Sequence, residues 1–207
     1  MSGSADSVRI TNRADAPDLA QRLARVEAEL AIGQLPARYA VAVDSRNVDA
    51  LAALFAADVD CGRWGSGRAA LKRYYASRHV LTGFYRSVHL VCGQTIDLVD
   101  DDHATGTVYC RAGHEDKDHW IEMSICYFDR YVRSEGLWCF ERRDEKHWYS
   151  TDWQQRPNRG VGAGLQNWPG KYEAPKFAPQ LPHAWPSWAA YWEAQGDEAR
   201  RAVTHAP

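Results

Sequence analysis

Apolar residues recur with a helical period early in the chain and with a strand period in its second half. Leu19, Leu23, Val26 and Leu30 stand at i, i+4, i+7 and i+11, the spacing of one face of an amphipathic helix, and this face is expected to point into the core. Asp15 or Asp18 supplies a cap, and Pro17 is tolerated in a first turn. Gly33 and Pro36 interrupt the pattern, but Ala37 to Val43 resume it with good helix formers. That predicts a helix bent at Pro36 and continuing beyond it. Asn47 caps a short second helix with Val48, Leu51, Leu54 and Phe55 inward. Val59-Asp60-Cys61 reads as a short strand, and Gly62, Gly65 and Gly67 make the next stretch a loop. A third helix over 68–78 has Leu71, Tyr74 and Tyr75 as its buried side.

From Phe84 the period becomes two. Strands are predicted over 84–92, 95–99, 104–114, 119–132 and 137–149. The breaks between them are Gly93-Gln94, Asp100-Asp101-Asp102, the charged stretch 115–118 and Ser134-Glu135-Gly136. In the clearest strand Ile121, Met123, Ile125 and Tyr127 share one face, with Glu122, Ser124 and Arg130 on the other. Turns this short join antiparallel strands. Helices first and a meander after them predict an α+β fold. Past Asp152 the composition shifts: residues 156–186 hold six prolines and four glycines, which excludes long regular elements. Trp188, Tyr191 and Trp192 then return at helical spacing. The expected organisation is a flexible tail over 1–16, one domain over 17–153, and an irregular Trp/Pro-rich extension over 154–207.

Composition narrows the classes. A chain of 207 residues, 45% hydrophobic and 25% charged, can bury one sizeable core. A net charge of −2 without a basic block argues against nucleic acid or an anionic membrane surface as partner. No run of eighteen apolar residues marks a membrane span. The first sixteen residues lack the apolar core of a signal peptide. Five cysteines without CxxC spacing read as buried reduced thiols, and a cytoplasmic location is the expectation. Nine tryptophans, five of them in the last 55 residues, point to aromatic pocket walls or an aromatic-anchored tail.

Candidate chemistry rests on a few residues. Asp44 closes the first helix, and His89 lies between Val88 and Leu90 in a strand. Separately, Asp44 can cap the next helix and His89 can be a satisfied core residue. Together they can form a general base, because a carboxylate on one ring nitrogen fixes the tautomer and stabilises the imidazolium as it forms. Tyr39 stands five residues before Asp44, about 140° round an ideal helix, so both border one pocket only if the helix end is splayed. Arg142 and Arg143 alternate, so one faces the sheet interior and needs a carboxylate or an anionic substrate group. His114, Glu115, Asp116, Asp118 and His119 straddle a turn without zinc-site spacing, and no metal is predicted. Trp64, Tyr75, Tyr127 and Trp120 are candidates for pocket lining, with Tyr127 on the face of Met123.

The stretch RYAVAVDSRNVDALAALFAADV, with the three helices and the meander after it, resembles the opening of SnoaL-like domains of the nuclear transport factor 2-like fold. The resemblance covers about residues 17–153 and implies a cone of helices packed on a curved antiparallel sheet. It is nearest to the branch of scytalone dehydratase, hexachlorocyclohexane dehydrochlorinase and bile-acid 7α-dehydratase, whose members use an Asp–His dyad. By that resemblance Asp44 and His89 match the dyad, Tyr39 a tyrosine before the aspartate, and Arg143, five after Trp138, an arginine on the last strand. A further polar position finds a loose counterpart in His114 or His119. The implied activity is a cofactor-free lyase of the dehydratase type, with isomerase second, acting on a small hydrophobic alicyclic or polycyclic molecule. Catalysis would fall to His89, Asp44, Tyr39 and Arg143, and substrate contact to Tyr127, Trp64, Tyr75, Met123, His114 and His119. A homo-oligomer, dimer or trimer, is also implied. The family further contains non-catalytic small-molecule binders and dioxygenase β-subunits, which stand as the alternative.

Overall fold

The computed structural model describes residues 18–77, 80–153 and 186–203. The expected tail over 1–16, Asp15 and Pro17, and the stretch 154–185 with Trp168 and Trp185 lie outside these. Helix α1 is Leu19–Asp44. The side chain of Asp18 accepts from the Gln21 amide at 2.8 Å, and the Gln21 side chain accepts from the Asp18 amide at 3.0 Å. This reciprocal capping satisfies two orphan donors and fixes the start. The helix runs uninterrupted through Pro36.

The predicted core stripe does not face the core. Leu19, Leu23, Val26 and Leu30 are all exposed, and the buried side is Ala28, Ile32, Leu35, Pro36 and Tyr39, followed by Ala40, Ala42, Val43 and Asp44. Periodicity marks an apolar face without saying what covers it. Here Ala20, Ala24 and Ala28 border a cavity shared with Leu98, Arg133 and Trp138 of the sheet, so the leucine stripe lies on the far side of α1, away from the sheet.

Helix α2, Val48–Ala53, is capped by Asn47, whose side chain accepts from the Ala50 amide at 3.0 Å. Phe140 then donates its amide to Leu54 and accepts from Ala56, which hooks the segment after α2 onto the sheet edge. Val59-Asp60-Cys61 forms no strand; only an isolated bridge joins Asp60 to Ser66. Gly62, Gly65 and Gly67 all have positive φ and turn the chain back before a ladder can grow. Helix α3, Arg68–Tyr75, buries Leu71 and Tyr75 as expected, while Tyr74 is half-exposed against Trp64.

The sheet has four strands in the order β1-β2-β3-β4, all antiparallel: β1 Arg86–Leu98, β2 His103–Asp116, β3 His119–Ser134 and β4 Leu137–Trp153. Gly93-Gln94 is not a turn. β1 continues through it across a bulge between Val91 and Gly93. Cys92 is the extra residue there and is exposed, unlike the buried Cys110, Cys126 and Cys139. That bulge and two register shifts in the β3–β4 pairing bend the sheet around α1. The core fills the concave side, with Val108 from β2, Ile125 and Tyr131 from β3, and Phe140 from β4 meeting Ile32 and Leu51.

Curvature leaves no room at Gly106. A Cβ there would stand 2.6 Å from the Thr95 carbonyl oxygen and 3.0 Å from the Tyr131 ring. Gly106→Ala is therefore expected to destabilise the fold by about 1–3 kcal/mol. The measurement is a lower denaturant midpoint at unchanged m-value.

Helix α4, Pro186–Val203, breaks at Gly196, where φ is 78°. Its Trp188, Tyr191 and Trp192 are buried, with Trp188 and Trp192 against the Tyr85 ring. Ser187 donates to the Ser45 carbonyl at 2.8 Å, and the Lys117 amide donates to the Val203 carbonyl at 2.7 Å. The aromatic segment thus covers the end of its own core, beside the C-terminus of α1. No described helix is long and apolar enough to cross a membrane.

Candidate active site

Asp44 is the last residue of α1 and is buried, so its carboxylate must be satisfied by protein groups. The Oδ2 atom accepts from the His89 backbone N–H at 2.8 Å. Oδ1 lies 2.7 Å from His89 Nδ1 and accepts from the Ser87 hydroxyl at 3.0 Å. An acceptor already bonded to an amide and a hydroxyl makes Nδ1 the protonated ring nitrogen, which leaves the Nε2 lone pair free to take a proton. Nε2 has no hydrogen-bond partner among the described residues.

Two supporting residues escaped sequence reasoning. Arg46, in a left-handed turn at φ 57°, reaches back under the site. Its Nη1 donates to Ser87 Oγ at 2.7 Å and to the Val43 carbonyl at 2.9 Å, and its Nη2 to the Phe84 carbonyl at 3.0 Å. The Ser87 hydroxyl thereby relays Arg46 to Asp44. Burial lowers the Arg46 pKa to about 10, which still leaves a cation at neutral pH. Ser87 could have been found, because it stands two before His89 and so shares its face of β1. Nothing in the sequence announces the turn that returns Arg46.

His114 stands beside the dyad, its ring centroid 5.6 Å from that of His89 and 4.5 Å from that of Phe84. It is buried, and its Nδ1 has no hydrogen-bond partner among the described residues. Burial, reinforced by the charges of His89, Arg46 and His147, holds its pKa down to about 3, so the ring is neutral at neutral pH. His119, the other candidate for this position, is not in the site. It begins β3 just after the turn at Lys117, is exposed, and pairs with Asp152 at 2.6 Å.

Tyr39 and Asp44 both approach His89 without any splaying of the helix. The end of α1 is buried over a wide arc, because sheet, α2 and α4 surround it. The Tyr39 ring is 6.4 Å from the His89 ring, and its hydroxyl is 3.1 Å from that of Tyr75. Burial pushes the Tyr39 hydroxyl up to about 12 and Tyr75 well above the usual phenol range, so neither ionises near neutral pH.

Arg143, not Arg142, faces inward. Arg142 is exposed and paired with Asp144. The Arg143 guanidinium carbon lies 4.3 Å from the Tyr39 ring centre and 3.9 Å from that of Tyr127, between two aromatic faces. Its Nε is 3.1 Å from Asp129 Oδ1, with only 4% of the Arg143 side chain and none of the Asp129 side chain exposed. Nη1 has no hydrogen-bond partner among the described residues. Asp129 also accepts from the Tyr131 hydroxyl at 2.9 Å.

The inner face of β4 carries two further groups that the sequence reading left out. Glu145 is opposite Tyr127 and His147 opposite Ile125. Cross-strand partners share a face, so both follow Arg143 along the concave side. His147 Nε2 lies 2.5 Å from Glu145 Oε1. Met123 is in the cross-strand row of His89 and Ala112, half-buried. Trp64 and Tyr75 line something different: a cavity of about 630 Å³ that also touches Leu71, Tyr74 and Arg143 but not the dyad.

Comparison with protein families matches residues 24–144 to the SnoaL-like domain. Among solved structures, a type 2 hexachlorocyclohexane dehydrochlorinase superposes with TM-score 0.60 at 19% identity, covering 68% of this chain and 99% of that one. A proposed scytalone dehydratase of Novosphingobium aromaticivorans gives 0.53 at 25% identity, over 68% of this chain and 97% of the other. A Mycobacterium tuberculosis protein of unknown function gives 0.51 at 19% identity and spans 90% of this chain and 95% of its own. Comparison with curated proteins gave no match.

Proposed function

We propose, from the premise that this chain belongs to the SnoaL-like domain family, that it is a cofactor-independent lyase of the dehydratase type acting on a small hydrophobic alicyclic or polycyclic molecule. The observation that carries the reading is the 2.7 Å contact between Asp44 and His89. Asp44 holds Nδ1 protonated, and His89 Nε2 removes a proton from a carbon next to an electron-withdrawing group. The imidazolium that forms is stabilised by the Asp44 carboxylate, itself positioned by Ser87 and Arg46. The departing hydroxyl, or the oxyanion in an isomerisation, is stabilised by Tyr39 and by the free Nη1 of Arg143. His114, neutral beside the dyad, raises no electrostatic barrier to protonation of His89 while it stays neutral. The dehydratase reading is supported by the solved relative named as a proposed scytalone dehydratase.

The test is a panel of β-hydroxy alicyclic ketones and hydroxysteroids, followed by product spectroscopy. With a turned-over compound, His89→Ala and Asp44→Asn are each expected to lower kcat at least about a hundredfold, the scale of general-base catalysis. Undiminished turnover in both variants removes the dyad from the mechanism.

A second reading, binding without turnover, is favoured by the cavity beyond Tyr75, which does not touch the dyad. On that reading calorimetry finds a ligand whose affinity is unchanged by His89→Ala and lost on Trp64→Ala.

A further inference from the structure

The stripe of α1 that turned out to face away from the core is a surface in need of a partner. Leu19, Leu23, Val26 and Leu30 are exposed by 77%, 55%, 51% and 65%. Their spacing is four, three, four, the alternation of a two-helix seam. The opposite side of the same helix, at Ala28, Ile32 and Leu35, is buried against its own domain. One helix thus has two apolar faces, and among the described residues only one of them is covered. The helix is capped at its first turn, so the stripe lies on a regular helix from its first residue.

We infer that this stripe is a two-fold interface, covered by the same stripe of a second copy of this chain running antiparallel. The residues suit self-pairing. About the midpoint between residues 24 and 25, Leu19 of one copy meets Leu30 of the other, and Leu23 meets Val26. The flanking charges agree with that register. Arg22 and Glu29 are exposed on the same flank of the stripe, seven residues apart. In an antiparallel pair like flanks face each other, so Arg22 of each copy stands beside Glu29 of the other and two ion pairs close at once. Glu27, on the opposite flank, faces the uncharged Ala20 of the second copy. A closed two-fold contact leaves no unmatched surface from which a filament could grow.

The four side chains expose on the order of 400 Å² per copy, which places the interface at the small end of those that hold proteins together. Association in the micromolar range is the corresponding expectation. The outer face of the sheet, with exposed Leu90, Tyr109, Phe128 and Trp148, is the competing surface.

Sedimentation velocity on the full chain across the micromolar range tests this without reference to activity. The wild type is expected to pass from monomer to dimer. Leu23→Glu with Leu30→Glu should weaken dimerisation at least about tenfold, the effect of burying unpaired charge in a seam, with circular dichroism unchanged. Trp148→Glu should leave it intact. Arg22→Glu should weaken dimerisation, and adding Glu29→Arg should restore it. A wild type that stays monomeric throughout, or a dimer that survives the paired leucine substitutions, overturns the inference. Restoration of Arg22→Glu by Glu27→Arg in place of Glu29→Arg overturns the antiparallel register, because a parallel pair would bring Arg22 to Glu27.

Discussion

Arg143→Ala is expected to destabilise the protein by about 3–5 kcal/mol, the cost of breaking a buried ion pair from one side. The deletion strands Asp129, whose side chain is fully buried and whose remaining partner is the Tyr131 hydroxyl. It also empties the space between the Tyr39 and Tyr127 rings, which now hold the guanidinium at 4.3 and 3.9 Å. Two measurements separate these costs. Arg143→Met combined with Asp129→Asn keeps volume and removes both charges, so it should recover most of the loss in urea denaturation. Lowering the pH should also recover part of it in Arg143→Ala alone. Burial already raises the Asp129 pKa to about 6 with the arginine in place, and removing the cation raises it further. A carboxyl with a raised folded-state pKa binds its proton in the folded protein first, so its unfavourable contribution fades as pH falls through that pKa. A deficit equal at pH 5 and pH 8 would mean that the aromatic stack, not the charge, carries the loss.

Arg143 also marks how far the sequence could be read. Strand alternation required one of Arg142 and Arg143 to face inward, and the structure selects Arg143 because its cross-strand partner on β3 is Asp129. Had that choice been made, Glu145 and His147 would have followed two and four residues on. Both remain partly exposed on the concave face. The contact between Asp44 and His89 was legible through the resemblance to SnoaL-like domains, because taken singly each residue reads equally well as a cap or a core histidine. Their contact depends on a bend in the chain at Arg46, which no periodicity records.

The errors on α1 and β1 share a cause. A helical stripe was assigned to the core because apolar faces are usually covered, and a Gly-Gln pair was assigned to a turn because glycine usually marks one. Both rules describe local preference. Leu19, Leu23, Val26 and Leu30 are exposed because they lie on the side of α1 turned away from the sheet, and Gly93 continues a strand because β2 pairs with it across a bulge. Tertiary placement decided both, and pairing partners far away in sequence set that placement.

His114 should give the protein an acid-sensitive stability that begins unusually early. Its pKa is held to about 3 in the fold, chiefly by burial, against 6.5 for an ordinary imidazole. The unfolded chain therefore takes up this proton first as pH falls. Wherever the unfolded state binds more protons, stability declines with falling pH. The loss begins near 6.5, where the unfolded group titrates, and runs until the folded group titrates near 3. At about 1.4 kcal/mol per pH unit, the cost reaches on the order of 2 kcal/mol by pH 5. Asp129, raised to about 6, titrates in the same window with the opposite sign, so the difference between the wild type and a His114 variant reports the histidine. Phe84 and the His89 ring pack on His114, and Arg46 and His147 add positive charge to its surroundings. No carboxylate lowers the cost of protonating it among the influences on its pKa. His114→Gln keeps a polar group of similar size without the titration, and between pH 7 and pH 5 its stability in urea should fall by about 2 kcal/mol less than the wild type's. If both proteins lose stability in parallel over that range, the protonating group is elsewhere, and His89→Gln would then identify whether it is the dyad.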